Sequence, residues 1–231
     1  MARPTAPQGR TGRPRLTSRA QILAAARQLI DREGWEKLTI RRLAAEIGIG
    51  PTTLYHHVRD KEDLLVQLLD EHTGQIERPE LPDDPRDRIV VAATAMHDAL
   101  AAWPWAAEVL TADGFLGRLG EAALWPVEIM VAAATDHGCT PEQAVDVFRN
   151  VWYYTVGEIL VRARSDRRLA DDRRPRPNYR EIDFGSFDAS KLPHLADIAD
   201  QWPTLAARDT YPQGLSAFVD GLLAQATSAT P

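Results

Sequence analysis

Thr52, Thr53, Tyr55, His56 and His57 sit together in a short stretch that opens with Pro51. If that stretch is helical, successive residues are rotated by about 100°, so Leu54 and Val58 share one narrow side and the five polar residues cover the opposite arc. Burying two side chains while presenting hydroxyls, a phenol and imidazoles suits a core poorly. It suits hydrogen bonding to base edges and phosphates, with the threonine methyls free to meet thymine methyls. The bland alternative is a merely solvated helix face. Metal binding fits less well, because adjacent histidines diverge on a helix and no third ligand stands near them. No paired carboxylates, no Ser/His/Asp arrangement and no metal-ligand spacing stand out elsewhere, so neither catalytic residues nor a cofactor is expected.

The elements that must position these residues are readable from capping and periodicity. Ser18 with Gln21 forms a capping-box pattern ahead of Ile22, Leu23, Ala26, Leu29 and Ile30, and Gly34 ends that helix. Thr39 caps a second helix with Ile40, Leu43, Ala44 and Ile47 on its apolar face; Gly48-Ile49-Gly50 breaks it. Pro51 opens a third helix running to about Val58, where its missing N–H costs nothing. Asp60 caps a fourth that carries Leu64, Leu65, Leu68 and Leu69 towards about Glu77. Two short helices joined by a glycine turn over residues 38–61 make a helix-turn-helix.

The remainder is helical as well. Expected helices cover residues 86–103, 106–110, 115–136 with a kink at Pro126, 141–165, 191–202 and 211–227, with a mobile polar loop over 166–190. No alternating strand pattern or internal repeat is present. The fold class is all-α: an N-terminal three-helix DNA-binding domain (17–62) behind a flexible basic arm (1–16), and a C-terminal helical bundle (63–231).

Charge follows the same division. The chain of 231 residues has a net charge of −6, which argues against a polyanionic partner until it is split. Residues 1–62 carry 12 Lys and Arg against 6 Asp and Glu, whereas residues 63–231 carry 15 against 27. An unequal split of this kind points to two jobs, one of them on a polyanion. The arm, with Gly12-Arg13-Pro14-Arg15, is either a solubilising tail or a minor-groove contact. No run approaches a membrane span, the start lacks a secretory h-region, and the single cysteine, Cys139, excludes a disulfide framework; the expected compartment is the cytoplasm.

Leu38 to Lys61 resembles the DNA-binding part of the tetracycline-repressor (TetR) family. The match lies in T-x-R-x-L-A from Thr39 to Ala44, the Gly48 turn, T-L-Y from Thr53 to Tyr55 and H-V-x-x-K from His57 to Lys61. The resemblance implies that Arg41 reaches the major groove, that Thr52, Thr53, Tyr55, His56 and His57 contact bases or phosphates, and that Lys61 holds a phosphate beside a helix N-terminus. His56 stands where relatives often carry an aromatic. The C-terminal part looks similar to the family's regulatory domain, through the Tyr153-Tyr154-Thr155-Val156-Gly157 run and an aromatic-rich last helix.

That domain is rich in large side chains. Met96, Trp103, Phe115, Trp125, Met130, Tyr153 and Tyr154, with polar His97, Asn150 and Glu158, are candidates for a mostly apolar effector pocket. Ordinary packing must account for several of them. Leu215, Phe218, Val219, Leu222, Leu223 and Ala226 form a continuous helical stripe, and the helix from Pro141 is apolar nearly all round. Together the helices about 141–165 and 211–227 match the placement of the family's homodimer interface.

The resulting expectation is a cytoplasmic, homodimeric transcriptional repressor on a palindromic double-stranded operator, released by a small hydrophobic or aromatic molecule. A DNA-binding activator or regulator without a ligand is the alternative, and a helical enzyme is a weaker one. The histidine arrangement of a magnesium–tetracycline site is not found.

Overall fold

In the computed structural model, residues 18–112, 114–170 and 188–228 are described; the basic arm and most of the loop expected over 166–190 lie outside them. All regular structure among the described residues is helical. The chain divides into two compact units, Met1–Leu68 and Leu69–Pro231.

The first unit is built from three helices and the start of a fourth. Helix α1 (Arg19–Glu33) carries the full capping box at Ser18 and Gln21 and stops at Gly34, whose φ of 93° few other residues adopt. Helix α2 (Ile40–Ile47) begins at Thr39, whose hydroxyl accepts from the Arg42 N–H, and ends at Gly48 in the left-handed conformation. Helix α3 (Pro51–Leu54) is shorter than the periodicity suggests: its helical turns give way to a turn through His57. Helix α4 (Lys61–Thr73) starts where Asp60 accepts from the Asp63 N–H at 2.7 Å, while Asp63 accepts from the Arg59 N–H at 2.9 Å. Ile22, Leu29, Leu38, Leu43, Leu54 and Leu64 meet in a core from which water is excluded.

The second unit is an all-helical bundle. It holds α5 (Pro85–Ala101), α6 (Pro104–Leu110), α7 (Glu121–Asp136), α8 (Pro141–Ala170), α9 (Pro193–Ile198), α10 (Trp202–Ala206) and α11 (Tyr211–Ser228). Helices α5, α7, α8 and α11 pack on one another around Ile89, Met130, Val151, Leu215 and Val219. Thr140 and Gln143 cap α8 reciprocally, at 2.8 and 3.3 Å.

Boundaries differ from the sequence reading elsewhere too, and the helix expected over 191–202 is divided into α9, a 3-10 turn at Ala199–Gln201 and α10. Helix α7 begins at Glu121 rather than near Phe115, because Gly114, Gly117 and Gly120 punctuate the approach, which holds only a 3-10 turn at Leu116–Arg118. Helix α4 ends at Thr73, short of Glu77, where Gly74 follows. Helix α8 continues to Ala170, past the expected start of the loop, since nothing between Ser165 and Ala170 breaks a helix. Among the described residues no helix is long and apolar enough to cross a membrane.

Candidate nucleic-acid interface and cavity

The interface begins with what is buried beneath it. Leu54 is fully buried and Val58 nearly so, whereas Thr52, Thr53, Tyr55, His56 and His57 are all exposed, Tyr55 to 54%. A large aromatic left in water beside a leucine that is wholly out of it shows that α3 is pinned from one side only. The pin is reinforced from α4: Gln67 donates to the His57 carbonyl at 3.3 Å and accepts from Arg19 at 2.9 Å, so the end of the polar turn is held by a side chain on α4 and another on α1. Gln67 is a positioning residue that periodicity could not reveal, since only its three-dimensional neighbours give it that task.

The two adjacent arginines of α2 are not equivalent. Arg42 pairs with Glu33, and Arg32 bridges Glu33 and Glu46, a surface network bracing α1 against α2. Arg41 is exposed and has no carboxylate partner among the described residues, so its guanidinium is the one available to a phosphate. Lys61 is engaged locally. Its ammonium lies 4.9 Å from the centre of the Trp35 ring and donates to the Glu36 carbonyl at 3.2 Å, and partial burial pulls its pKa below the usual lysine range. The phosphate role that the resemblance implies for Lys61 therefore competes with a structural one, bracing the turn at Trp35–Lys37.

In the second unit a cavity of about 630 Å³ opens between the end of α4, α5, α7 and α8. Of the expected pocket residues, Met96, Trp125 and Tyr153 line it. The rest are placed elsewhere. Met130 is fully inside the core; Phe115 is buried away from the space; Trp103 is buried against His72, ring centres 3.9 Å apart, and beside Trp105. Asn150 is on the surface, its amide donating to the Asp146 carbonyl at 2.8 Å.

His97, Tyr154 and Glu158 belong to a polar knot joining α5, α8 and α11. The ring of His97 lies 3.0 Å from Glu158 through Nε2 and stacks on Tyr211 at 3.9 Å; the hydroxyls of Tyr211 and Thr155 share a bond of 2.9 Å. Glu158 also accepts from Arg162 at 2.5 Å, and Arg162 reaches Asp209 at 3.3 Å. Tyr154 stacks on Tyr211, and a Cβ at Gly214 would fall onto its hydroxyl.

The division has a helical cause. On α8 the cavity face is Phe148, Arg149, Trp152, Tyr153, Val156 and Gly157, whereas Tyr154, Thr155 and Glu158 look towards α5 and α11. What sequence reasoning missed is that the space is created by small residues. Ala95, Ala99, Ala122, Ala123 and Gly157 face inward where bulkier side chains would fill it.

The knot has a pH signature. Burial, eased only partly by the Thr155 bond, pushes the Tyr211 phenol far above its ordinary range. A raised folded-state pKa on a tyrosine stabilises the protein fully below the unfolded value of about 10, and that stability is lost as pH rises beyond it. Tyr211→Phe should flatten the loss of melting temperature between pH about 9.5 and 11.5 relative to the wild type. An unchanged slope in thermal melts across that interval would show that Tyr211 is not protected from ionisation.

Among the described residues, no group of three or more His, Cys, Asp or Glu side chains could hold a metal ion. Cys139 is buried, and burial raises its thiol pKa, which opposes thiolate reactivity.

Both parts of the chain are similar to known proteins. The family pattern described as bacterial regulatory proteins, tetR family, matches residues 22–68, and the tetracyclin repressor-like C-terminal domain matches residues 78–226. Tetracycline repressor protein class A from transposon 1721 of Escherichia coli is 26% identical over 207 residues, 87% of this chain and 88% of that one. Among solved structures, the TetR family protein ActR of Streptomyces coelicolor in complex with (S)-DNPA shares the fold at a TM-score of 0.67 and 21% identity, over 90% of this chain and 97% of that one. BioQ with its double-stranded DNA operator does so at 0.59 and 24%, over 89% and 97%.

Proposed function

Because the chain belongs to the tetracycline-repressor family of bacterial transcription regulators, we propose that it is a homodimeric repressor that occupies a near-palindromic operator and leaves it when a small hydrophobic or aromatic molecule fills the cavity. Its family's members act by binding DNA and are not enzymes. The observation that carries the reading is the exposed array of Thr52, Thr53, Tyr55, His56 and His57 mounted on a fully buried Leu54.

A dimer supplies the second copy of that array. Likeness to the family's dimer interface supports a partner surface on α8 and α11, and Val145 and Val161 are single exposed apolar positions on α8. Two α3 segments set about 34–36 Å apart would enter successive major grooves and so read a near-palindrome.

Release follows from the path of α4. The helix begins in the first unit, and its last turn contributes Leu69 and Thr73 to the cavity wall. Between them, Asp70 accepts from the Gly120 N–H at 2.8 Å, directly ahead of the α7 turn that contributes Ala122 and Ala123 to the same wall. A Cβ at position 120 would lie 2.9 Å from the Asp70 carboxylate, so glycine is needed for this grip. A molecule that binds better when α7 is displaced would therefore pull on α4 and shift the population away from the DNA-binding conformer.

Selection from a pool of randomised duplexes, followed by titration of the enriched sequence, tests the proposal. The enriched site should have two-fold symmetry, and its affinity should fall about tenfold per doubling of salt if some four phosphates are neutralised per dimer. An asymmetric site, or an affinity indifferent to salt, would overturn it.

A further inference from the structure

We propose that the effector is an aromatic molecule bearing an acidic group, and that Arg78 and Arg149 receive that group at the cavity wall. This rests on the cavity being the effector site. It goes further in naming the charge that the site selects.

The wall offers a ligand broad apolar surface and few polar groups. Most of it is apolar, with Phe148, Trp125, Trp152 and Met96 supplying broad surface for a ring system. Two hydroxyls on the wall are already spent on the backbone: Thr73 donates to the Leu69 carbonyl at 2.9 Å and Thr111 to the Glu108 carbonyl at 2.6 Å. The side-chain groups left to recognise a ligand are almost all donors. They are the guanidinium groups of Arg78 and Arg149, the Tyr153 hydroxyl, and the indole N–H groups of Trp125 and Trp152, which can only donate. Against them, Glu77 is the sole carboxylate among the described lining residues.

The two guanidinium groups are also held in position. Arg78 lies 5.7 Å from the centre of the Trp125 ring, and Arg149 lies 5.8 Å from that of Tyr153 while donating to its hydroxyl at 3.1 Å. Arg149 has Asp146 only at 4.0 Å, on an exposed part of α8, and Arg78 has no carboxylate within ion-pair distance among the described residues. A guanidinium resting on an aromatic ring keeps its N–H edge for an acceptor, and a carboxylate or sulfonate can take that edge with two parallel bonds. A cationic ligand would meet two like charges, and a neutral hydrocarbon would leave the donors unsatisfied on binding.

The test uses two fluorescent probes that share a ring skeleton and differ in charge, 8-anilinonaphthalene-1-sulfonate and uncharged N-phenyl-1-naphthylamine. The full-length protein should bind the sulfonate about tenfold more tightly than the neutral probe. Arg78→Gln with Arg149→Gln should abolish that preference, the sulfonate's affinity falling about tenfold to that of the neutral probe. Ala123→Trp, which fills the cavity, should remove both. Equal affinity for the two probes, or a preference that survives the arginine substitutions, would overturn the acidic class and leave the cavity reading standing. Failure of both probes to bind, or binding that ignores Ala123→Trp, would overturn the cavity reading and this proposal with it. Because Arg78 is exposed, its single substitution keeps the question answerable should Ala123→Trp fold poorly.

Discussion

Tyr55→Ala is expected to lower operator affinity about a hundredfold, because one charge-assisted hydrogen bond to DNA is lost in each of two half-sites at roughly 1.5 kcal/mol apiece. The fold should not register the change. With Tyr55 54% exposed, truncation removes little buried area, and stability should move by no more than about 0.5 kcal/mol. Operator titration by fluorescence anisotropy, beside a thermal melt of the same preparation, separates the two quantities. Retained affinity would remove Tyr55 from the interface, and a lowered melting temperature would make it a packing residue. Arg41→Ala, on the other wall of the helix-turn-helix, should weaken specific and nonspecific DNA alike and make the salt slope shallower by about one unit per half-site, as a phosphate contact does.

The first unit was legible because its signals are local. Ser18 with Gln21, Thr39, Gly48, Pro51 and Asp60 each act within a few residues of themselves, so the helix starts and the turn could be read before any tertiary contact was known. The cavity was not legible for the opposite reason. Aromatic side chains were the natural candidates, yet Trp103, Phe115 and Met130 went into packing, and the space came from alanines and a glycine that carry no chemical signal. Periodicity on α8 separates its faces but does not say which neighbour each one meets. That is why His97, Tyr154 and Glu158, expected at a ligand, proved to knit α5, α8 and α11 together. Lys61 teaches the same lesson at smaller scale: its partners Trp35 and Glu36 are far enough back along the chain that only folding brings them to it.

The residue next to Tyr55 should behave in the opposite way, and the contrast is the sharpest test of how the interface is built. Leu54 is fully buried, and with Val58 it is what fastens α3, a helix too short to persist on its own propensity. Leu54→Ala should cost about 2–5 kcal/mol, the usual penalty for emptying a leucine site in a tight core. The first unit has a small core, and a loss of that size is a large part of what such a domain can spare. Operator binding should therefore disappear together with order: amide hydrogens over residues 22–68 should exchange at least tenfold faster, while those of α5, α7 and α8 keep their protection. A variant that lost DNA binding with protection intact would move Leu54 from the support of the interface to its surface. A variant that kept both would show that Val58 and the Gln67 clasp on His57 hold α3 without it.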